Sequence, residues 1–125
     1  MTDIFTGRRV LIVEDESLVA MLLETILSDM GCDVIGPEAN VDDGLRIASG
    51  TGELDAALLD VNVAGQEVFP VAEALKARGV PFVFSTGYGE AGLPEHWRGN
   101  PTVQKPFTEG AIRDALMKAL NIHAA

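Results

Sequence analysis

Four short apolar runs in this sequence are each followed at once by residues that could bind a cation or a phosphoryl group. Apolar runs of this length, separated by helical segments, predict buried parallel strands. In open parallel sheets the ligand site lies beyond the carboxyl ends of the strands, so one fold would gather these residues into one pocket. The runs and the residues that follow them are 10–13 with Glu14 and Asp15, 56–59 with Asp60, 82–84 with Ser85 and Thr86, and 102–104 with Lys105.

Such a pocket is suited to a divalent cation and a phosphoryl group. Mg²⁺ prefers hard oxygen ligands, which Glu14, Asp15 and Asp60 supply. Without a cation the three carboxylates would repel one another, and at least one pKa would rise. A carboxylate nucleophile forms an acyl phosphate, and Asp60 is placed to do so. Lys105 and Thr86 would each bind a phosphoryl oxygen.

Taken singly, each of these residues has a purely structural interpretation. Acidic pairs commonly begin helices, an aspartate after a strand commonly turns the chain, and a lone lysine is commonly solvated. The joint arrangement at four strand ends is what predicts a site. Ser85 competes with Thr86, but alternation along a strand points the two side chains to opposite faces, and Thr86 lies nearer the pocket loop. A cis Lys105–Pro106 bond would aim the ammonium group inward.

Composition limits the possible partners. The chain has 125 residues, 47% of them hydrophobic, and a net charge of -10. This predicts one domain over residues 1–125 with an ordinary core, and neither nucleic acid nor an anionic membrane as a partner. The lone Cys32 fits a reducing compartment, and no run resembles a signal peptide or a membrane span, so a cytoplasmic location is expected. The short terminal segments 2–8 and 121–125 favour a complete small protein.

Hydrophobic periodicity predicts alternating strands and helices, hence a doubly wound α/β fold. The strands are expected at about 9–13, 33–35, 56–59, 81–84 and 102–104. The first helix is expected over 17–30, with Leu18, Leu22 and Ile26 on one face. The expected helix boundaries are marked by Asn40 as a cap, Pro70 in a first turn, Gly79 after a last turn and Thr108 as a cap.

The segment from 87 to 101 is poor helix material, because it contains four glycines and two prolines. We expect a short, distorted or absent fourth helix and a mobile loop. Trp97 is interpreted as a packing anchor in preference to a partner contact. His96 and His123 lack partners at metal-ligand spacing and are expected on the surface.

The residues at the strand ends resemble the receiver domain of two-component response regulators over nearly the whole chain. The resemblance implies a flavodoxin-like (βα)5 fold, a five-stranded parallel sheet of order 2-1-3-4-5. It implies that Asp60 accepts a phosphoryl group from a histidine kinase or a histidine phosphotransfer protein, and that Thr86 and Lys105 bind that group. The matching motifs are Glu14-Asp15, Asp60, Thr86 and Lys105-Pro106-Phe107.

The same resemblance implies a magnesium site, in which Mn²⁺ is expected to substitute for Mg²⁺. The implied ligands are Asp15, Asp60 and the backbone carbonyl of Asn62, with Glu14 acting through water. Residues 84–89, together with 105–107, are further similar to the FAT GUY receivers of alphaproteobacterial stress signalling. Several members of that branch are stand-alone receivers or partner-switch regulators.

The chain departs from the common receiver pattern at three positions. Ala64, Val68 and Thr102 stand where proline, glycine and a switch aromatic are usual. Without that aromatic we expect a different relay, which would run through Tyr88, its adjoining loop and Phe107. Unchanged phosphorylation-dependent shifts in Tyr88→Ala would count against this relay.

These properties predict a stand-alone response regulator whose phosphorylation shifts an equilibrium between two conformers. An unidentified downstream protein would bind one conformer, or the phosphoryl group would pass onward. The changing surface is expected at 88–100, the last strand and the outer face of the last helix, with Arg113 and Met117. A phosphate sink for a shared kinase and a phosphate-independent protein-binding module are alternatives that fit the same residues.

A turnover phosphatase is the enzymatic alternative. Phosphohydrolases of the haloacid-dehalogenase type place a second aspartate two residues after the nucleophile, where this chain has Asn62. An amide cannot perform general acid or base work. We therefore expect only self-phosphorylation and slow autodephosphorylation, with Asn62 and Tyr88 tuning the rate of water attack.

Overall fold

A five-stranded parallel sheet forms the centre of the computed structural model, which describes residues 4–121. The strands of this sheet lie in the order β2-β1-β3-β6-β7, and a separate antiparallel ribbon pairs β4 with β5. Because β6 and β7 are the fourth and fifth strands of the sheet, the predicted order 2-1-3-4-5 is confirmed. The strands are β1 Arg9–Val13, β2 Asp33–Glu38, β3 Ala56–Asp60, β4 Asn62–Val63, β5 Gln66–Glu67, β6 Phe82–Thr86 and β7 Thr102–Gln104.

Helices cover both faces of the sheet, as expected for the doubly wound, flavodoxin-like fold. One core lies under α1 and α4, and the other lies under α2 and α3. The side chain of Asn40 accepts a hydrogen bond from the Asp43 amide at 2.8 Å, and Thr108 Oγ1 accepts one from the Ala111 amide at 3.1 Å. Both predicted caps are therefore present. The helices are α1 Ser17–Asp29, α2 Val41–Ala48, α3 Phe69–Ala77 and α4 Glu109–Ala119.

The connection between β6 and β7 contains two 3₁₀ turns, Gly89–Gly92 and Glu95–Trp97, in place of a full helix. The expected short or irregular fourth helix is thus confirmed, and its cause is the glycine and proline content of the segment. Trp97 is 3% exposed and stacks on Phe69 with ring centroids 5.6 Å apart. The interpretation of Trp97 as a packing anchor is also confirmed.

Strand β2 is longer than the sequence predicts, since it continues through Gly36 and Pro37 to Glu38. It is an edge strand that pairs only with β1, and edge strands and bulges are the places in a sheet that tolerate proline. A Cβ at Gly36 would lie 2.8 Å from the Glu38 amide nitrogen, and Gly36 has a φ of +93°, so this bend requires glycine. The pairing irregularity falls between Leu11 and Val13.

Helix α1 leaves part of its apolar surface uncovered. Leu23, Ile26 and Leu27 are buried against the sheet, whereas Leu18 and Leu22 are 80% and 45% exposed. The shared face expected for Leu18, Leu22 and Ile26 therefore divides between core and surface.

Two sequence-based expectations fall partly or wholly outside the described residues. The surface position of His123 lies beyond residue 121, and the terminal segments 2–8 and 121–125 are described only from residue 4 and up to residue 121. His96 is exposed, as expected. Between residues 4 and 121 no helix has both the length and the apolar character needed to cross a bilayer.

Candidate functional site

Three carboxylates meet at the carboxyl edge of the sheet because β1 and β3 are parallel neighbours. Val13 pairs with Leu59, so Glu14 and Asp15 follow β1 at the level where Asp60 ends β3. One carboxylate oxygen of each residue lies within 4.8 Å of the other two. Glu14 and Asp60 are buried, and Asp15 is exposed. An all-oxygen donor set with an open side fits a hard cation such as Mg²⁺.

Lys105 places its ammonium group against two of these carboxylates. Its Nζ lies 3.1 Å from Glu14 Oε1 and 3.3 Å from Asp60 Oδ2. The Lys105–Pro106 peptide is cis, and the Lys105 amide donates to the Thr86 carbonyl at 2.9 Å. Burial alone would lower the pKa of Lys105, but its contacts with Glu14 and Asp60 outweigh burial and raise it. The ammonium group therefore stays charged and ready for an anion.

This arrangement shifts the pKa of Glu14. Its pKa is raised from 4.5 to about 7, chiefly by burial, with a further contribution from the charge of Asp60. A hydrogen bond from the Glu16 amide at 3.1 Å and the contact with Lys105 oppose the rise. The predicted rise in one carboxyl pKa is therefore confirmed, but loss of hydration is a larger cause than repulsion.

Thr86 ends β6 and makes both of its side-chain hydrogen bonds to its own loop. Its Oγ1 accepts from the Tyr88 amide at 2.8 Å and donates to the Gly89 carbonyl at 3.3 Å. Gly92 approaches so closely that a Cβ there would lie 2.8 Å from Thr86 Oγ1. The hydroxyl is thus tied to the first 3₁₀ turn.

A cavity of about 270 Å³ opens beside Asp60. Asp60 belongs both to the carboxylate cluster and to this cavity. Its carboxylate could therefore contact a bound cation and a phosphoryl group at the same time. Tyr88 is 82% exposed at the cavity, and the Asn62 amide donates to Asp60 Oδ1 at 3.4 Å. Ser85 is buried and is not part of the lining. The cavity is lined by Asp60, Val61, Asn62, Glu67, Thr86, Gly87, Tyr88 and Gly92.

Glu67 is a lining residue that the sequence analysis missed. It reaches the cavity because Asn62–Val63 and Gln66–Glu67 pair as a tight ribbon around Ala64 and Gly65, which both have positive φ. The available signal was Gly65 in a turn between two short stretches, because glycine turns favour hairpins.

Pro106 and Phe107 lie on the other side of Lys105, away from the cavity lining. They share a groove of about 300 Å³ with Val19 and Leu22 of α1. Phe107 thus lines a groove with α1, whereas Tyr88 lines the Asp60 cavity. The structure places these two expected relay residues in separate surroundings, on either side of Lys105.

No family model matches the chain. It is 42% identical to SdrG from Sphingomonas melonis Fr1, whose solution structure it matches over 93% of its own length and 98% of that chain, with a TM-score of 0.80. The Erythrobacter litoralis PhyR response regulator REC domain is 28% identical, with 96% and 95% of the two chains covered and a TM-score of 0.80.

Two further comparisons show how far this similarity extends. The phyllosphere-induced regulator PhyR of Methylorubrum extorquens is 32% identical over 115 residues, which are 89% of this chain. The chain spans only 43% of the length of that curated relative. The receiver domain of the Pseudomonas aeruginosa sensor histidine kinase PA1611, with magnesium in its active site cleft, shares the fold at 20% identity and a TM-score of 0.73 over 93% of this chain and 99% of that one.

Proposed function

The chain belongs to the receiver domains of response regulators, and on that premise we propose that Asp60 accepts a phosphoryl group in a magnesium-dependent reaction. The donor would be a histidine kinase or a histidine phosphotransfer protein. The observation that carries the proposal is the position of Asp60. It joins the carboxylate cluster to the open cavity, with Lys105 Nζ 3.3 Å from its Oδ2.

The carboxylates at this edge would hold the cation. Asp15, Asp60 and the Asn62 carbonyl are the proposed direct ligands, and Glu14 would act through water. Bound Mg²⁺ would neutralise charge on the phosphoryl oxygens. The all-oxygen set would also accept Mn²⁺.

The transfer itself needs few groups. A carboxylate oxygen of Asp60 attacks the phosphorus, the bond from phosphorus to the donor histidine nitrogen breaks, and that nitrogen keeps the electron pair. Lys105 then contacts a phosphoryl oxygen in exchange for part of its present contact with Glu14. Thr86 can donate to another phosphoryl oxygen only by releasing the Gly89 carbonyl. Phosphorylation would therefore act directly on the first 3₁₀ turn.

The donor protein would dock on α1 beside the site. Leu18, Met21 and Leu22 form an exposed apolar patch, and Leu22 also lines the groove that contains Lys105 and Phe107. A donor that brings a phosphohistidine to Asp60 must cover this region. Leu18→Ser should slow transfer from a donor protein while uptake from a small donor is retained, whereas equal loss from both donors would contradict this docking.

The signal would leave by a different surface. We propose that an unidentified downstream protein reads the segment 88–100 with the neighbouring strand and α4, since Thr86 bonds directly to that segment. A phosphate sink for a shared kinase remains the second role for the same chemistry. No turnover of external phosphate esters is proposed, and the proposed location is cytoplasmic.

The test is phosphoryl uptake from acetyl phosphate or phosphoramidate, read by intact mass with and without Mg²⁺. We expect a gain of one phosphoryl group that needs Mg²⁺, disappears in Asp60→Asn and persists in Asp114→Asn, a matched change at an exposed acid on α4. A gain that survives in Asp60→Asn would refute the assignment. No gain from any donor would favour a phosphate-independent binding module.

A further inference from the structure

The β4–β5 ribbon presents two polar side chains to the Asp60 cavity. Asn62 and Glu67 are direct partners in this antiparallel pair. Directly opposed residues of such a pair project their side chains from the same face, within reach of each other. Both residues line the same cavity as Asp60 and Thr86. An amide and a carboxylate therefore stand together where a phosphoryl group on Asp60 would lie.

Glu67 is not used by the cation site. The carboxylates that could share a metal ion among residues 4–121 are Glu14, Asp15 and Asp60. The ion pairs found within that same range do not include Glu67. Its carboxylate is exposed at the cavity, which leaves it free to take a proton from a water molecule there.

The ribbon is also tied to the nucleophile. The backbone amide of Asn62 donates to Asp60 Oδ1 at 3.4 Å, and the backbone amide of Val68 donates to the Val61 carbonyl at 2.9 Å. These bonds close the ribbon at its base, next to Asp60. The distance from Glu67 to the reacting group is thus set by backbone pairing and not by a free loop.

We propose that Glu67 is the general base, and Asn62 the orienting amide, for hydrolysis of the acyl phosphate on Asp60. The inference rests on the proposed function. Water attacks the phosphorus, its proton passes to the Glu67 carboxylate, and the bond from phosphorus to the Asp60 oxygen breaks, giving inorganic phosphate and the free Asp60 carboxylate. Asn62 can donate to the water and accept from it, whereas an ionised carboxylate only accepts. The domain would therefore set the lifetime of its own signal.

The experiment compares the lifetime of the phosphorylated chain in matched variants. The whole chain is loaded with phosphoramidate and Mg²⁺, the donor is removed, and loss of phosphoryl mass and release of phosphate are followed. Glu67→Gln should lengthen the lifetime roughly 10- to 100-fold. This factor lies at or below the lower end of the rate enhancements that general bases provide, because Glu67 is exposed. Asn62→Ala should lengthen it less, and the double variant should be no slower than Glu67→Gln. Gln66→Ala, a change in the same ribbon outside the cavity, is the control.

Two readouts separate a base from a structural role. Wild-type hydrolysis should be slower in D₂O, and this isotope effect should shrink in Glu67→Gln. Formate should restore hydrolysis in Glu67→Ala by supplying a carboxylate. A carboxylate that acts only by electrostatic repulsion slows hydrolysis, so its removal would shorten the lifetime of the phosphorylated chain. An unchanged or shorter lifetime in Glu67→Gln, with normal loading, would therefore overturn this inference alone. Failure of the wild type to load from any donor would overturn the proposed function as well.

Discussion

The two sides of the site are built differently. On the metal side, Glu14 and Asp15 follow β1, which leads into α1, and Asp60 ends β3, which leads through the β4–β5 ribbon into α3. On the switch side, Thr86 follows β6 and leads into two 3₁₀ turns, to which its hydroxyl is bonded. The metal side is thus already assembled, whereas the switch side must give up an existing hydrogen bond before it can bind a phosphoryl group. Under the proposed function, binding and signalling would be separated in the fold.

The largest expected effect belongs to Glu14 on the metal side. Because its folded pKa is about 7 and its ordinary value is 4.5, the folded state holds a proton that the unfolded state releases. Metal-free stability should therefore fall as pH rises from about 4.5 to about 7 and level off above it. Glu14→Gln should remove this slope and gain at most about 3 kcal/mol at pH 8. Urea unfolding in the presence of a chelator across this pH range measures the free energy of unfolding of the wild type and of Glu14→Gln. An equal pH slope in these two proteins would contradict the raised pKa of Glu14.

The next largest effect concerns the affinity of the metal side for Mg²⁺. Asp15→Asn should weaken Mg²⁺ binding roughly 10- to 100-fold, about 1.4 to 2.7 kcal/mol, because an ionised ligand is replaced by an amide. Calorimetric titration gives the affinity, and Asp42→Asn, an exposed change on α2, is the control. Equal loss in both variants would show that net charge, and not coordination, governs binding.

On the switch side, Gly92→Ala adds a methyl group whose carbon would lie only 2.8 Å from Thr86 Oγ1. The hydroxyl must move, and the unphosphorylated protein should lose about 1 to 2 kcal/mol of stability. Gly52→Ala is the matched control, since a Cβ there meets nothing within 4 Å. Thermal unfolding of both variants decides the point, and equal stabilities would mean that the Thr86 contact is not tight in solution.

Thr86→Val removes both hydrogen bonds of the Thr86 hydroxyl, of which the bond to the Gly89 carbonyl is long at 3.3 Å, so the expected loss of stability is about 1 to 2 kcal/mol. Its effect on signalling should be larger, because the variant has no hydroxyl that could exchange the Gly89 carbonyl for a phosphoryl oxygen and so link phosphorylation to the first 3₁₀ turn. Thr86→Ser keeps the hydroxyl and should keep that link. Amide spectra of the phosphorylated variants test this, and a normal response of residues 88–92 in Thr86→Val would place the coupling elsewhere.

The residues at the strand ends could be predicted from sequence because their position depends on strand direction alone. Parallel strands bring their carboxyl ends to one edge, so Asp60 and Lys105 meet whatever the loops do. The absence of a full fourth helix followed from glycine and proline content for a similarly local reason. These features needed no knowledge of distances.

Other features could not be predicted because they depend on tertiary neighbours. Periodicity identified Leu18 and Leu22 as apolar but not which side of α1 the sheet would leave uncovered. The extension of β2 through Pro37 depends on its being an edge strand. Glu67 reaches the cavity only through a ribbon of two residues in each strand, too short for any periodic signal.

The most direct test of the division between metal side and switch side is a two-step amide chemical-shift experiment on the wild-type chain. Mg²⁺ alone should shift the amides of residues 14–16 and 60–62, and added phosphoramidate should extend the shifts to residues 86–92. Asp60→Asn should block the second step. If phosphorylation leaves residues 86–92 unshifted while Asp60 is fully modified, the proposed coupling through Thr86 is wrong.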